Sequence, residues 1–133
     1  MKKTLCVLAA LVLMLCGCGK NALRGKTTAD VLGETIDAKN VARVIHIRNH
    51  ETHEETETDD PEAIAAFVEA LGQIKIKEKT DLWATDSDDF FRMEMKDGRD
   101  VVLCFNGRNL DVGDDLYVVD GAQALWDWTR EQQ

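Results

Sequence analysis

Residues 90–119 read FFRMEMKDGRDVVLCFNGRNLDVGDDLYVV, and this stretch decides the fold. Phe91, Met93 and Met95 alternate with Arg92, Glu94 and Lys96, the period-2 pattern of a half-buried strand. Asp97-Gly98 is a hairpin signal. Val101 to Phe105 is a continuous apolar run, as a central strand requires. Asn106-Gly107 marks a second reversal, and Gly113-Asp114 divides Leu110–Val112 from Leu116–Val119. Four strands joined by tight turns form an antiparallel meander. A two-residue turn at Asp97-Gly98 sets Lys96 against Arg99, Phe91 against Cys104 and Met93 against Val102. That register puts Cys104 on the apolar face with the methionines.

Upstream, Lys39 to Arg48 is β-branched and reads as a strand. Asn49 to Asp60, NHETHEETETDD, is polar and acidic, and either extends that strand or forms a loop. Asp60 and Pro61 then open a helix: the carboxylate caps it, and Pro at the first helical position loses no bonded N–H. Ile64, Phe67, Val68 and Leu71 make one apolar stripe, and Gly72 closes it. Ile74 to Lys77 alternates as a strand, and Thr80 to Asp89 is a loop. Downstream, Asp120 caps a last helix with Gln123 three residues on; Ala122, Leu125, Trp126 and Thr129 share one side. The expectation is a single α+β domain over residues 39–133. Its largely antiparallel sheet is ordered strand, helix, strand, four-strand meander and C-terminal helix.

The N-terminus reads as targeting. Lys2 and Lys3 precede an apolar run of eleven residues, Leu5 to Leu15, which is short of the roughly 20 that a membrane span needs. Leu15-Cys16-Gly17-Cys18 follows and resembles the lipobox of bacterial lipoproteins. The resemblance implies a signal peptide over residues 1–17, cleavage before Cys18 and acylation of its thiol. It places the chain outside the cytoplasm, anchored to the cell membrane by lipid. Removal of 17 residues from 133 leaves 116. Residues 18–38 then read as the lipidated Cys and a flexible tether, with an r.m.s. reach of roughly 25 Å and room for a short helix near Thr28 to Leu32.

This processing changes the inventory. The formal charge of −9 loses Lys2 and Lys3 and becomes −11. Such an acidic chain lacks the basic surface that nucleic acid requires, and its net charge argues against docking on anionic headgroups. Of the four cysteines, Cys6 and Cys16 leave and Cys18 is acylated, so Cys104 alone remains as a thiol.

Candidate sites compete with simpler readings. His46, His50 and His53, with Glu54, Glu55 and Glu57, are the most metal-like cluster, and His50, His53, Glu54 and Glu57 are its best ligands. The spacing suits neither a helix face nor a strand face, so a solvated acidic strand end competes with it. Asp81, Asp86, Asp88 and Asp89 offer oxygen ligands, but Phe91 and Asp97 stand where an EF-hand loop needs Gly and Glu. Ser87 lies among carboxylates that oppose alkoxide formation. Cys104 has no Lys, Arg or His within three residues to lower its pKa. Trp126 and Trp128, two residues apart, cannot share one helix face. Trp83 and Trp128 are the candidate partner-binding aromatics. No cofactor is called for.

From Val41 to Trp128 the layout resembles domains of unknown function carried by surface lipoproteins, chiefly of Gram-positive bacteria. The matching features are VARVIHI, TDDPEAIAAFVEAL, IKIK, NGRNL and LYVVDGAQALWDW. The resemblance carries no catalytic residues. The expected function is a non-enzymatic, membrane-anchored binding or accessory domain with a protein or small-molecule partner. A divalent-metal module built on the His50, His53 and Glu cluster is the alternative.

Overall fold

A computed structural model describes residues 24–49, 54–82 and 88–133. The elements run α1 (Thr28–Leu32), a short 3-10 turn (Ala38–Asn40), β1 (Val41–Asn49), β2 (Glu54–Thr58), α2 (Pro61–Gly72), β3 (Lys75–Thr80), β4 (Asp88–Met95), β5 (Asp100–Asn106), β6 (Asn109–Val112), β7 (Asp115–Asp120) and α3 (Gln123–Glu131). The seven strands form one sheet in the order β2-β1-β4-β5-β6-β7-β3, every pairing antiparallel. The fold is α+β, with the meander at its centre and a C-terminal helix.

Residues of one strand parity meet α2 and α3 in a single core. Val44, Phe91, Met93, Leu103, Phe105 and Leu110 come from the sheet, Phe67 and Leu71 from α2, and Leu125 and Trp128 from α3. Asp60 Oδ2 accepts from the Ala63 N–H at 3.0 Å, and the expected stripe is the buried one: Ile64, Phe67 and Leu71, joined by Ala70. The acidic segment resolves as well, since Glu54–Thr58 pairs with β1 as an edge strand.

Three expectations change. The β4–β5 loop holds three residues. Gly98, at φ +90°, donates to the Met95 carbonyl at 3.0 Å, and Met95 donates to that of Arg99 at 2.8 Å. This is a turn followed by a left-handed residue, which the same Asp-Gly signal serves. Phe91 therefore faces Leu103 and Met93 faces Val101. Because strand side chains alternate, the one-residue slip moves Cys104 to the face away from the helices. There it lies opposite Phe90 and Asp111.

The second change concerns residues 25–38, read above as tether. Gly25 donates to the Ile76 carbonyl at 3.0 Å and Ile76 donates to that of Lys26 at 2.7 Å, so this segment extends the sheet beside β3. Thr27 and Asp30 form a capping box for α1, and Thr28 Oγ1 donates to the Leu71 carbonyl at 3.0 Å. Val31, Leu32 and Ile36 pack against the core. The third change is at α3, which starts from Ala122 with no side-chain cap; Gln123 instead donates to Asp127 at 2.9 Å.

Candidate functional site

One end of the sheet gathers the most chemistry. Asn49 faces Asp88, Asp88 faces Asn106, and Asn106 faces Asn109, so β1, β4, β5 and β6 reach this end in a single row. One residue in from the row, on the helix side, stands a His–Asp pair. His46 Nε2 lies 2.9 Å from Asp89 Oδ1, and its side chain is 5% exposed. The ring stacks on Phe91 at 4.6 Å with planes 8° apart. Arg48 Nε lies 4.0 Å from the same carboxylate oxygen. A neutral imidazole has one N–H, and the carboxylate holds it on Nε2, which fixes the tautomer.

Trp126 of α3 closes this aromatic group. Its ring meets Phe105 edge-on at 5.3 Å and Phe91 at 6.1 Å. Asp89, Gly107, Arg108, Trp126, Thr129 and Arg130 line an open depression of about 260 Å³ above it. Arg130 is held by Asp127. Arg108 makes no ion pair among the described residues. The Trp126 indole N–H is buried and has no acceptor among the described residues. A guanidinium free to rotate, an indole face and a fixed carboxylate suit recognition of a polar partner group.

The expected site residues are not brought together. Cys18, His50, His53, Trp83, Asp86 and Ser87 lie outside the described residues. Glu54 and Glu57 are described, and they leave β2 on opposite faces. Glu54 pairs with Arg48 at 3.5 Å and Glu57 with Arg43 at 3.2 Å, so the two cannot chelate one ion together. Asp88 and Asp89 also diverge: Asn106 donates to the first at 2.9 Å, and His46 engages the second. Asp81 sits instead by the β6–β7 hairpin with Asp111, Asp114 and Asp115.

Trp128 is corrected outright as a partner-binding surface. It is 4% exposed, packs on Phe67 at 4.9 Å and donates its indole N–H to the Ala63 carbonyl at 2.9 Å. The half-buried tryptophan at a rim is Trp126. Helix spacing shows that only one of the two faces the core; which one depends on how α3 crosses α2. Arg108 carries no sequence signal of its own, and Asp89 stands out only as one of the loop carboxylates; both come to line the depression through the strand register.

On the opposite face, burial pushes the Cys104 thiol up to about 12, with the nearby Asp88, Asp111 and Asp89 carboxylates adding to it. Asp111 is raised for the same first reason, then by Asp88 and Asp114. The thiolate is the reactive form. At pH 8, alkylation of Cys104 in the folded protein is therefore expected to run at least about tenfold slower than in the urea-unfolded chain. Peptide mapping of the labelled site measures this, and equal rates would contradict the burial argument. The sign for stability follows. The native state holds this proton to higher pH than the unfolded chain does, so folding weakens as pH rises from about 9 toward 12.

No protein family, no curated protein and no solved structure matches the chain.

Proposed function

We propose that the protein is an extracytoplasmic lipoprotein, anchored to the cell membrane through an acylated Cys18, whose α+β domain is a non-enzymatic binding or accessory module. The observation that carries the reading is the order of its N-terminus. Two lysines, eleven apolar residues and Leu15-Cys16-Gly17-Cys18 precede a domain in which, among the described residues, Gly25 is the first to pair its backbone with the sheet. Lipid chains partition at about 0.8 kcal/mol per buried CH₂, and two or more hold a protein stably on a bilayer. The resemblance to surface-lipoprotein domains agrees with this order. Binding rather than catalysis is supported by the state of the candidate groups. Cys104 is held protonated, and His46 is buried between Phe91 and Asp89. The depression beside Arg108 and Trp126 is the surface offered for partner contact.

One experiment tests both halves. Membranes from cells expressing the wild type, Cys18→Ala or Arg108→Glu are fractionated, solubilised and subjected to affinity capture. Wild type and Arg108→Glu are expected in the membrane fraction, and Cys18→Ala is expected to lose its mature, lipid-bearing N-terminus. A partner recovered with wild type should be depleted at least about tenfold with Arg108→Glu. An N-terminal peptide of the wild type without a lipid mass would overturn the anchor. Equal partner recovery with Arg108→Glu would remove the depression from the binding surface.

A further inference from the structure

We infer that the outer edge of β2 accepts an extended cationic segment of a partner protein as an eighth strand of the sheet. This goes beyond the binding reading above and stands independently of the lipid anchor and of the Arg108 depression. Three observations carry it.

The first is an open edge. The sheet ends in β3 on one side and β2 on the other. The chain itself covers part of the β3 edge, through backbone bonds of Gly25 and Lys26 to Ile76 and a bridge from Thr27 to Lys75. β2 pairs with β1 along its whole length, and among the described residues no segment pairs with its other side. Such an edge leaves alternate backbone N–H and C=O groups unpaired, a template for one more strand. β2 contains no Pro or Lys and no register shift, the devices that ordinarily close an edge.

The second is charge. Glu54, Glu55 and Glu57 are exposed, and β2 carries no cation. Arg48 reaches Glu54 at 3.5 Å and Arg43 reaches Glu57 at 3.2 Å, but both guanidiniums are shared. Arg43 holds Glu94 more closely, at 2.7 Å, and Arg48 lies 4.0 Å from Asp89. Glu55 makes no ion pair among the described residues. Lys39 and Lys96 line a hollow beyond the end of the strand together with Asp59, and Asp60 caps α2. The edge is therefore short of cations.

The third is alternation. Glu55 and Glu57 face away from the helices, opposite Ile47 and Ile45; Thr56 lies between them on the helix side, opposite His46. A second copy of β2 does not suit this edge. Centred on Thr56, antiparallel self-pairing sets Glu55 against Glu57; centred on either glutamate, it sets that residue against its own copy. Like charges directly opposite are unfavourable. A strand with Lys or Arg at alternate positions and a β-branched residue between them meets both glutamates with opposite charge and Thr56 with a favourable neighbour. The glutamates select the partner while the backbone supplies the pairing.

The test titrates the detergent-solubilised full chain with three fluorescent peptides: Thr-Lys-Val-Lys-Val-Lys-Thr, and the same sequence N-methylated either on its lysines or on its valines. Polarisation reads affinity, and amide exchange reads the site. The parent peptide is expected to bind and to slow exchange over Glu54–Thr58 at least about threefold. One N-methylated peptide should lose at least about tenfold in affinity and the other less than about twofold, because only one edge of an added strand faces β2. Glu55→Lys should weaken the parent peptide at least about threefold, and Glu55→Lys with Glu57→Lys at least about tenfold. The single variant decides the matter if the double variant unfolds. No binding at about 1 mM peptide overturns the added strand. So do equal affinities of the two N-methylated peptides, or slowed exchange confined to residues other than Glu54–Thr58.

Discussion

Trp128→Ala is expected to lower folding stability by about 3–5 kcal/mol. The side chain sits at the junction of three elements. It is buried to 4% exposure, its ring lies 4.9 Å from Phe67, and its N–H satisfies the Ala63 carbonyl in the first turn of α2. Truncation leaves a large cavity and removes the donor of a part-buried hydrogen bond, and α2 and α3 cannot collapse to fill it without leaving the sheet. Small domains hold only about 5–15 kcal/mol in total, so the loss should move the thermal midpoint by more than roughly 10 °C. Trp126→Ala is the informative comparison. It removes a half-buried ring whose N–H has no acceptor among the described residues, so it should cost clearly less in a denaturant titration. Equal losses for the two tryptophans would mean that α3 packs differently.

Gly121→Ala should lower stability by about 3 kcal/mol, a large effect for one methyl group. Gly121 turns the chain from β7 into α3 at φ +76°. A Cβ there would stand 2.3 Å from the Gln73 carbonyl oxygen and 3.2 Å from its carbon. Gln73 caps α2 through bonds to Ala70 and Leu71, so its backbone has no room to withdraw. Gly98 separates the two causes. It has a similar positive φ, +90°, but no atom lies within 4 Å of its would-be Cβ. Gly98→Ala should therefore cost only the conformational part, about 1–2 kcal/mol. Paired urea titrations measure the difference. A Gly121→Ala variant no weaker than Gly98→Ala would show that the β7–α3 corner can open.

Much of the fold was legible because its signals are local. The Phe91-Met93-Met95 alternation, the Asp60-Pro61 start of α2 and the Ile64-Phe67-Leu71 stripe each report on a single turn or strand face. The Asp97-Gly98 turn was legible as a turn but not as a loop length. A two-residue and a three-residue hairpin use the same dipeptide, and only burial of Met93 against Val101 selects between them. That single residue decides whether Cys104 is a core thiol or one on the far face. The site was less legible. His46 and Asp89 stand 43 residues apart and meet only because β4 inserts beside β1. His50, His53, Glu54 and Glu57 have the residue types of a metal site, but a strand sends Glu54 and Glu57 to opposite sides.

By itself the amino-acid sequence determined the acidic excess and the succession of strands and helices, and it carries the N-terminal pattern on which a lipid anchor at Cys18 is proposed. Each of these depends on composition or on residues a few positions apart. Tertiary structure alone decided which strands are edges, that Gly25–Thr27 belongs to the sheet, which tryptophan enters the core and where the charges lie. Those depend on strand order and register, which the chain settles by burying one whole face at once. A cationic strand and an acidic strand that are close in sequence therefore end at opposite edges of the same sheet.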